Sequence, residues 1–449
     1  MKTAAFLAVA SMLCFSAIGC AGGGSTALTP GPPGPKGSPT VPPGITKIQH
    51  IVIIVQENRS VDNLFNGLPG ADTVTSGKNS QGGTVNLAPV PFEAGYDPRH
   101  LHNDFVTEYN GGAMNGFDKV GINPNPGYTI PPNAAYGYVP RSETVPYFQL
   151  AERFAFADEM FQTNEGPSFP AHQYLISGSS VPAAGSPYKV SENIINTNRS
   201  PKNGGCDAPA GATTYLIDQF GNENNTIFPC LERQTLVDLL DADHVKWRYY
   251  TPSYYYVFSA IDAIRHLRYG PDWVNVTVPE TKIFKDITKG TLPAVSWVVP
   301  TGGNSDHSGN LSNAGPSWVA SVTNAIGTSP YWDSTAIFVT WDDWGGWYDH
   351  TKPQILNSYE LSFRVPLLVI SPYARPGYVS HAPHEFGSIL KFVEERFNLG
   401  SLGYTDARAD DLSDCFDFNQ APLHYQIVQA PYSRSYLLSH WKFEPPDSD

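Results

Sequence analysis

The run Ile51-Val52-Ile53-Ile54-Val55 constrains this chain more than any other segment. Successive side chains of a strand point to opposite faces, so an unbroken β-branched apolar run needs both faces covered, the condition of an inner strand in a parallel sheet. Comparable runs recur at 294–299, 335–340 and 365–370. Between them lie stretches with apolar residues at three-to-four spacing, namely 147–154, 236–240, 257–267, 318–326 and 387–397. In the last, Ile389, Leu390, Phe392, Val393 and Phe397 carry the period. This alternation predicts an α/β fold of three layers, α/β/α, around a mostly parallel central sheet. In such sheets ligands gather beyond the carboxyl ends of strands. Two stretches, 70–140 and 180–232, are rich in Gly, Asn and Pro and are expected to be long loop insertions that shape a pocket.

The chain of 449 residues is long enough for one large domain, expected over 45–449. Ahead of it, Lys2, an apolar run over 4–18 and small residues before Cys20 read as an export signal over 1–20. Ala17-Ile18-Gly19-Cys20 resembles a lipoprotein cleavage box with Ala17 in place of the usual Leu, and simple secretion is the alternative. Residues 21–44 have no apolar periodicity and suit a Gly/Pro-rich linker between a membrane and a domain. The predicted location is therefore the periplasm or cell envelope, or outside the cell. In an oxidising compartment Cys206 and Cys230 are placed to close a disulfide across a polar insertion, leaving Cys415 as a buried thiol. A net charge of −14 with 28 Lys and Arg disfavours a nucleic-acid surface, which depends on cations meeting phosphates. A small phosphorylated substrate needs only a local positive site.

Four constellations carry possible chemistry. Gln56-Glu57-Asn58-Arg59-Ser60 follows the first strand; it offers hard oxygen ligands for a divalent cation, an arginine to satisfy nearby carboxylates, or only a helix cap. Trp341-Asp342-Asp343-Trp344-Gly345-Gly346-Trp347-Tyr348-Asp349-His350 follows the run at 335–340. Adjacent aspartates flanked by aromatics repel unless a cation or proton intervenes, whereas in water they would be a solvated loop. Its two glycines permit a sharp turn close to the site, and His350 stands by as acid or ligand. Ser168 precedes Pro170 in a segment that ends at Gly178, so it is placed as the N-cap of a helix beginning near Pro170. A cap is the ordinary role of such a serine; the alternative is a nucleophile whose alkoxide is stabilised by the helix end. His100 and His307, each in a Gly- or Asn-bearing loop, could contact a phosphate or hand a proton to a leaving group.

Taken together, these segments resemble the bacterial phosphoesterase family of phospholipases C and acid phosphatases, itself similar in fold to alkaline phosphatase and sulfatases. Glu57-Asn58-Arg59-Ser60 with Asp62 and Phe65 resembles the family's ENRSFDHYFG, with Val61, Asn63 and Leu64 departing. Pro167-Ser168-Phe169-Pro170 with Tyr174, Leu175, Ser177 and Gly178 resembles PTWPNRLYLWSG, with Ala171 and His172 in place of Asn-Arg. The segment 342–350 resembles DExGGFYDHV, and Val379-Ser380-His381 with Ser388-Ile389-Leu390 resembles VSHTxYDHTSIL, with Phe386 in place of a histidine. The resemblance spans 48–418. It implies an alkaline phosphatase-like fold, a divalent metal ion held by Glu57, Asn58, Asp342 and Asp343, and Ser168 as nucleophile passing through a phosphoserine. It also implies phosphate-binding or proton-transferring roles for His307, His350 and His100, and a phosphorylated small molecule or phospholipid as substrate. Serine rather than threonine at 168 leans toward a phosphatase. A non-catalytic, lipid-anchored binding protein of the same fold is the alternative from another class. A sulfatase-like hydrolase is the nearest enzymatic one, although no Cys/Ser-X-Pro-X-Arg segment stands at the nucleophile turn.

Overall fold

The computed structural model describes Met1 and residues 41–439 apart from 199 and 201. The export signal, Cys20 and most of the linker lie outside the described residues. Pro42 is buried and its carbonyl accepts the Ile45 amide, so some residues ahead of the expected boundary at 45 pack with the domain.

Eight strands form the central sheet: β1 (His50–Gln56), β2 (Ala155–Ala157), β3 (Trp247–Tyr250), β4 (Val276–Thr277), β5 (Val295–Val298), β6 (Thr335–Trp341), β7 (Leu367–Ile370) and β8 (Tyr378–Ser380). Their spatial order is β4-β3-β5-β1-β6-β7-β2-β8. Only β7 runs against the rest, so the sheet is mostly parallel as its apolar runs require. β1 lies at the centre, in register with β5 through Ile51 and Val295 and with β6 through Gln56 and Trp341. Every residue of β6, and of β1 after His50, is buried, which requires packing on both faces.

Six helices matter to the argument: α1 (Val145–Arg153), α2 (Ser168–Ser177), α3 (Leu236–Ala242), α4 (Lys282–Lys289), α5 (Gly315–Gly327) and α6 (Phe386–Phe397). They fall into two packed groups, α1 with α5 and α4, and α2 with α6 and α3, which gives the α/β layering. One expected helix is absent. Residues 257–267 form a short 3-10 turn, Ala260–Ala263, then a five-residue helix, Arg265–Tyr269, because Ile264 is extended and bridges to Leu231. Leu231 N–H donates to Ala263 O and Arg265 N–H to Leu231 O, so tertiary pairing overrides the helical period.

The two Gly-rich stretches are not structureless. Residues 180–232 hold a three-stranded antiparallel sheet, Lys189–Val190, Thr214–Ile217 and Asn225–Ile227, with the Cys206–Cys230 disulfide beside it, while Cys415 is free and buried. Residues 70–140 contribute Val85, Leu87, Phe105, Phe117 and Tyr136 to a satellite core around Trp344 and Tyr348. This stretch thereby braces the loop that follows β6. No described helix is long and apolar enough to cross a membrane.

Candidate active site

The carboxyl ends of β1 and β6 lie side by side, so Glu57-Asn58 and Asp342-Asp343 meet although 284 residues separate Asn58 from Asp342. Asn58 holds a left-handed backbone, φ 55°, a strained state for a non-glycine residue. Its amide is pinned to Asp342 Oδ1 at 3.1 Å. The same oxygen accepts Asp343 N–H at 2.8 Å, and Asp343 Oδ1 accepts Gly345 N–H at 2.8 Å. Gly345 and Gly346 have φ of 64° and 66°. A Cβ on Gly345 would come within 2.4 Å of Asn58 O, and one on Gly346 within 2.6 Å of Arg99 O, so the expected close approach needs both glycines.

α2 brings the hydroxyl. Pro167, not Ser168, is the N-cap; Ser168 is the first helical residue and its side chain makes no capping bond. With α2 running from Ser168 to an αL Gly178, the Ser168 hydroxyl is free to turn away from the helix end and donate to Asp343 Oδ2 at 2.9 Å, with Asn58 Oδ1 at 3.4 Å. The helix end supplies fewer free donors than expected, because Asn193 takes the Phe169 amide and Pro170 has none.

His100 completes the line. Its Nδ1 donates to Pro98 O at 2.9 Å, so its Nε2 is an acceptor and receives Asn58 Nδ2 at 2.9 Å. The same Nε2 lies 3.9 Å from Asp343 Oδ2. His307 faces His100 with ring centroids 6.4 Å apart. Its loop is anchored by Asp306, which accepts Tyr147 Oη at 2.8 Å and Trp341 Nε1 at 2.8 Å. Six of the residues expected from sequence in addition to Ser168, namely Glu57, Asn58, Asp342, Asp343, His100 and His307, thus fall into one buried neighbourhood.

His350 does not join them. Its Nδ1 pairs with Asp62 Oδ2 at 2.6 Å, its Nε2 with Asp72 Oδ1 at 3.3 Å, and Arg364 Nη2 lies 3.3 Å from Nδ1. Arg59 is buried as expected, but the carboxylates it serves are not the strand-end ones: burial lowers its pKa, and the charges of Asp306 and Asp97 oppose that. It donates to Asp306 O, Asn63 Oδ1 and Phe92 O and lies over the Phe92 and Trp347 rings, away from the strand-end carboxylates. Ser60 does cap a short helix, accepting Asn63 N–H at 3.2 Å.

One member of the cluster, His172, is not among the residues expected from sequence. It stands one helical turn after Ser168 on α2, so both side chains leave the same face. Its Nε2 lies 3.3 Å from Glu57 Oε1 and 3.5 Å from Asp342 Oδ2. The four-residue spacing was the available signal.

The electrostatics fit a divalent cation. Asp342 and Asp343 are fully buried, and among the described residues no Lys or Arg pairs with either. Asp342 Oδ2 accepts no hydrogen bond, an orphaned oxygen at the centre of the cluster. Burial, then the charge of Asp342, pushes the Asp343 carboxyl up to about 8. Burial opposes ionisation of Asp342 too, but the His172 imidazole beside it holds its carboxyl below the ordinary value. Three buried carboxylates with an amide carbonyl beside a hydroxyl are a hard-donor set of the kind that binds divalent ions.

Residues 48–400 match the model of the Phosphoesterase family. The chain is 24% identical to hemolytic phospholipase C of Pseudomonas aeruginosa, over 84% of this chain and 57% of that one, so it spans little more than half of that relative's length. It is 27% identical to phospholipase C B of Mycobacterium tuberculosis, over 86% of this chain and 81% of that one. A solved protein of the alkaline phosphatase superfamily from Vibrio parahaemolyticus aligns with 84% of this chain and 71% of its own, at 12% identity and a TM-score of 0.35. With matching residues from before β1 to beyond α6, the chain belongs to the phosphoesterase family.

Proposed function

We propose that the protein hydrolyses phosphate esters with Ser168 as nucleophile and a divalent metal ion held by Glu57, Asn58, Asp342 and Asp343. The observation that carries this reading is the Ser168 hydroxyl directed at Asp343 Oδ2, at 2.9 Å, inside a buried carboxylate cluster whose two aspartates pair with no Lys or Arg among the described residues. When bound, the ion supplies Lewis-acid stabilisation of a phosphoryl oxygen and lowers the pKa of the serine hydroxyl.

The chain's own groups do the rest. Ser168 Oγ attacks phosphorus as its proton passes to Asp343 Oδ2, and the bond from phosphorus to the leaving oxygen breaks. Asn58 holds both Ser168 and His100 through one carboxamide, its Oδ1 toward the hydroxyl and its Nδ2 toward the imidazole. His307, as an imidazolium, gives its Nε2 proton to the departing alcohol, since the His100 Nε2 is an acceptor for Asn58 and His350 is bound to Asp62. Water then attacks the phosphoserine and releases phosphate or a phosphorylated head group. The names of the relatives favour a phospholipid substrate, and serine at 168 favours a monoester, so both belong in one assay.

That assay follows hydrolysis of a chromogenic phosphate monoester and of a choline-phosphate diester, with and without chelator, and traps the protein in acid for peptide mapping. Turnover that chelation abolishes and added metal restores, with phosphate on the peptide holding Ser168, is expected. No turnover of either ester by metal-loaded protein would favour the binding-protein reading.

A further inference from the structure

Where the family pattern carries arginine, this chain places His172, and that position faces the metal-binding carboxylates. An arginine there would hold a permanent positive charge against Glu57 and Asp342. An imidazole presents a nitrogen lone pair or a single proton instead. His172 is 1% exposed, and its ring stacks on Phe258 at 5.3 Å between centroids and 16° between planes, which fixes the direction of Nε2. The Nε2 and one oxygen each from Glu57 and Asp342 all lie within 4.8 Å of one another. The measured separations from Nε2 are 3.3 Å to Glu57 Oε1 and 3.5 Å to Asp342 Oδ2.

These distances are long for a charge-assisted N–H···O bond of about 2.7–2.9 Å. They are close to the edge of a coordination shell, because ligands at about 2.0–2.1 Å from an ion sit roughly 3.0–3.4 Å from each other. The Asp342 oxygen nearest the imidazole is also the one that accepts no hydrogen bond. We propose that His172 Nε2 is a direct nitrogen ligand of the bound cation, alongside Glu57 and Asp342, and that it biases the site toward a borderline transition ion over calcium or magnesium. Calcium and magnesium take oxygen ligands, whereas imidazole suits zinc, iron, cobalt and their neighbours. The inference rests on the metal reading above and adds to it the identity of a ligand and the class of ion.

The test uses full-length protein stripped of metal and titrated separately with Co2+ and Ca2+ in a calorimeter, for wild type, His172→Ala and His172→Asn. Circular dichroism melts establish that each variant is folded. X-ray absorption at the cobalt edge counts imidazoles in the wild type, a readout that needs neither activity nor a variant. The expected result is at least one imidazole in the wild type and one fewer in the variants. Co2+ affinity should fall more than about 100-fold, beyond the 10- to 100-fold expected of a residue acting only through another ligand. Ca2+ affinity should change by less than about threefold, since calcium draws little from an imidazole. Equal weakening of both ions with an unchanged imidazole count would overturn the proposal and leave His172 as a residue that positions Glu57. If neither ion bound wild type at all, the metal reading would fall first and this inference with it.

Discussion

The loop after β6 feeds two buried carboxylate clusters that differ in how their charge is met. Asp349, at the far end of the loop, receives a two-pronged bond from Arg364, Nε to Oδ1 at 2.9 Å and Nη2 to Oδ2 at 3.2 Å. Asp62 lies 3.7 Å from the same guanidinium and holds His350 as well. The protein supplies its own cation there, and the cluster ties the loop to β7 and to the helix after β1. Asp342 and Asp343, at the near end, are equally buried and have backbone amides, a serine and histidines around them but, among the described residues, no Lys or Arg. Burying charge without compensation costs several kcal/mol, so a fold keeps such an arrangement only where something from outside completes it. Similar residues at similar burial thus serve as framework in one place and as the proposed reaction centre in the other.

The comparison breaks most sharply at Ser168. Ser168→Ala should lower kcat by several orders of magnitude, since no group remains to accept the phosphoryl, and urea unfolding should shift by only about 1 kcal/mol for one lost hydrogen bond. No capping energy is at stake, because Pro167 occupies the cap. Retention of full activity by the alanine variant would remove the reaction centre from this site.

Arg364→Met probes the other cluster. Removing one partner of a buried pair strands Asp349 and Asp62, and a loss of about 3–5 kcal/mol in urea unfolding is expected. A loss below about 1 kcal/mol would mean that the two clusters are not opposites after all.

For Asp343→Asn the sign should reverse. In metal-free protein the carboxyl stands at about 8, above its ordinary 3.8, so its burial costs stability increasingly as pH rises from about 4 to 8. The asparagine variant escapes that cost and should be more stable near neutral pH by an amount on the order of 1 kcal/mol, while metal binding by calorimetry weakens. A metal-free variant markedly less stable than wild type would argue that the cluster is compensated from within.

A partly exposed trio sets the lower limit. His266 bridges Asp238 and Glu232, and the Asp238 bond, opposed by burial, lifts its pKa from 6.5 to about 9. The stabilisation is fully present below about pH 6.5 and lost as pH rises through 9. At 35% side-chain exposure, solvent screening keeps it under about 1 kcal/mol. Melts of wild type and His266→Ala from pH 6 to 10 should converge at the alkaline end; a constant difference would contradict the assignment.

Much of the framework is legible in the sequence alone. The strands β1, β5, β6 and β7 stand where the β-branched runs place them, because a residue buried on both faces of a sheet has few chemical alternatives. The acidic pair, the two glycines and the Ser168 turn are visible as short patterns, and the family resemblance joins them. Cys206 and Cys230 are legible because they bracket one polar stretch, and the structure pairs them.

Direction, by contrast, is not legible. Adjacency in sequence puts His350 and Arg59 near the strand-end carboxylates, yet one points to Asp62 and the other to the carbonyls of Asp306 and Phe92. The helical period at 257–267 loses to the bridge between Ile264 and Leu231, a partner more than thirty residues away. His172 looks in the sequence like a departure from a pattern, and only the packing of α2 against the ends of β1 and β6 turns it toward Glu57 and Asp342. Periodicity and residue chemistry are local properties, so the chain by itself determined its layers and the kinds of groups available. Which groups share a buried space depends on side-chain vectors set by long-range packing, and that was decided only in the folded molecule.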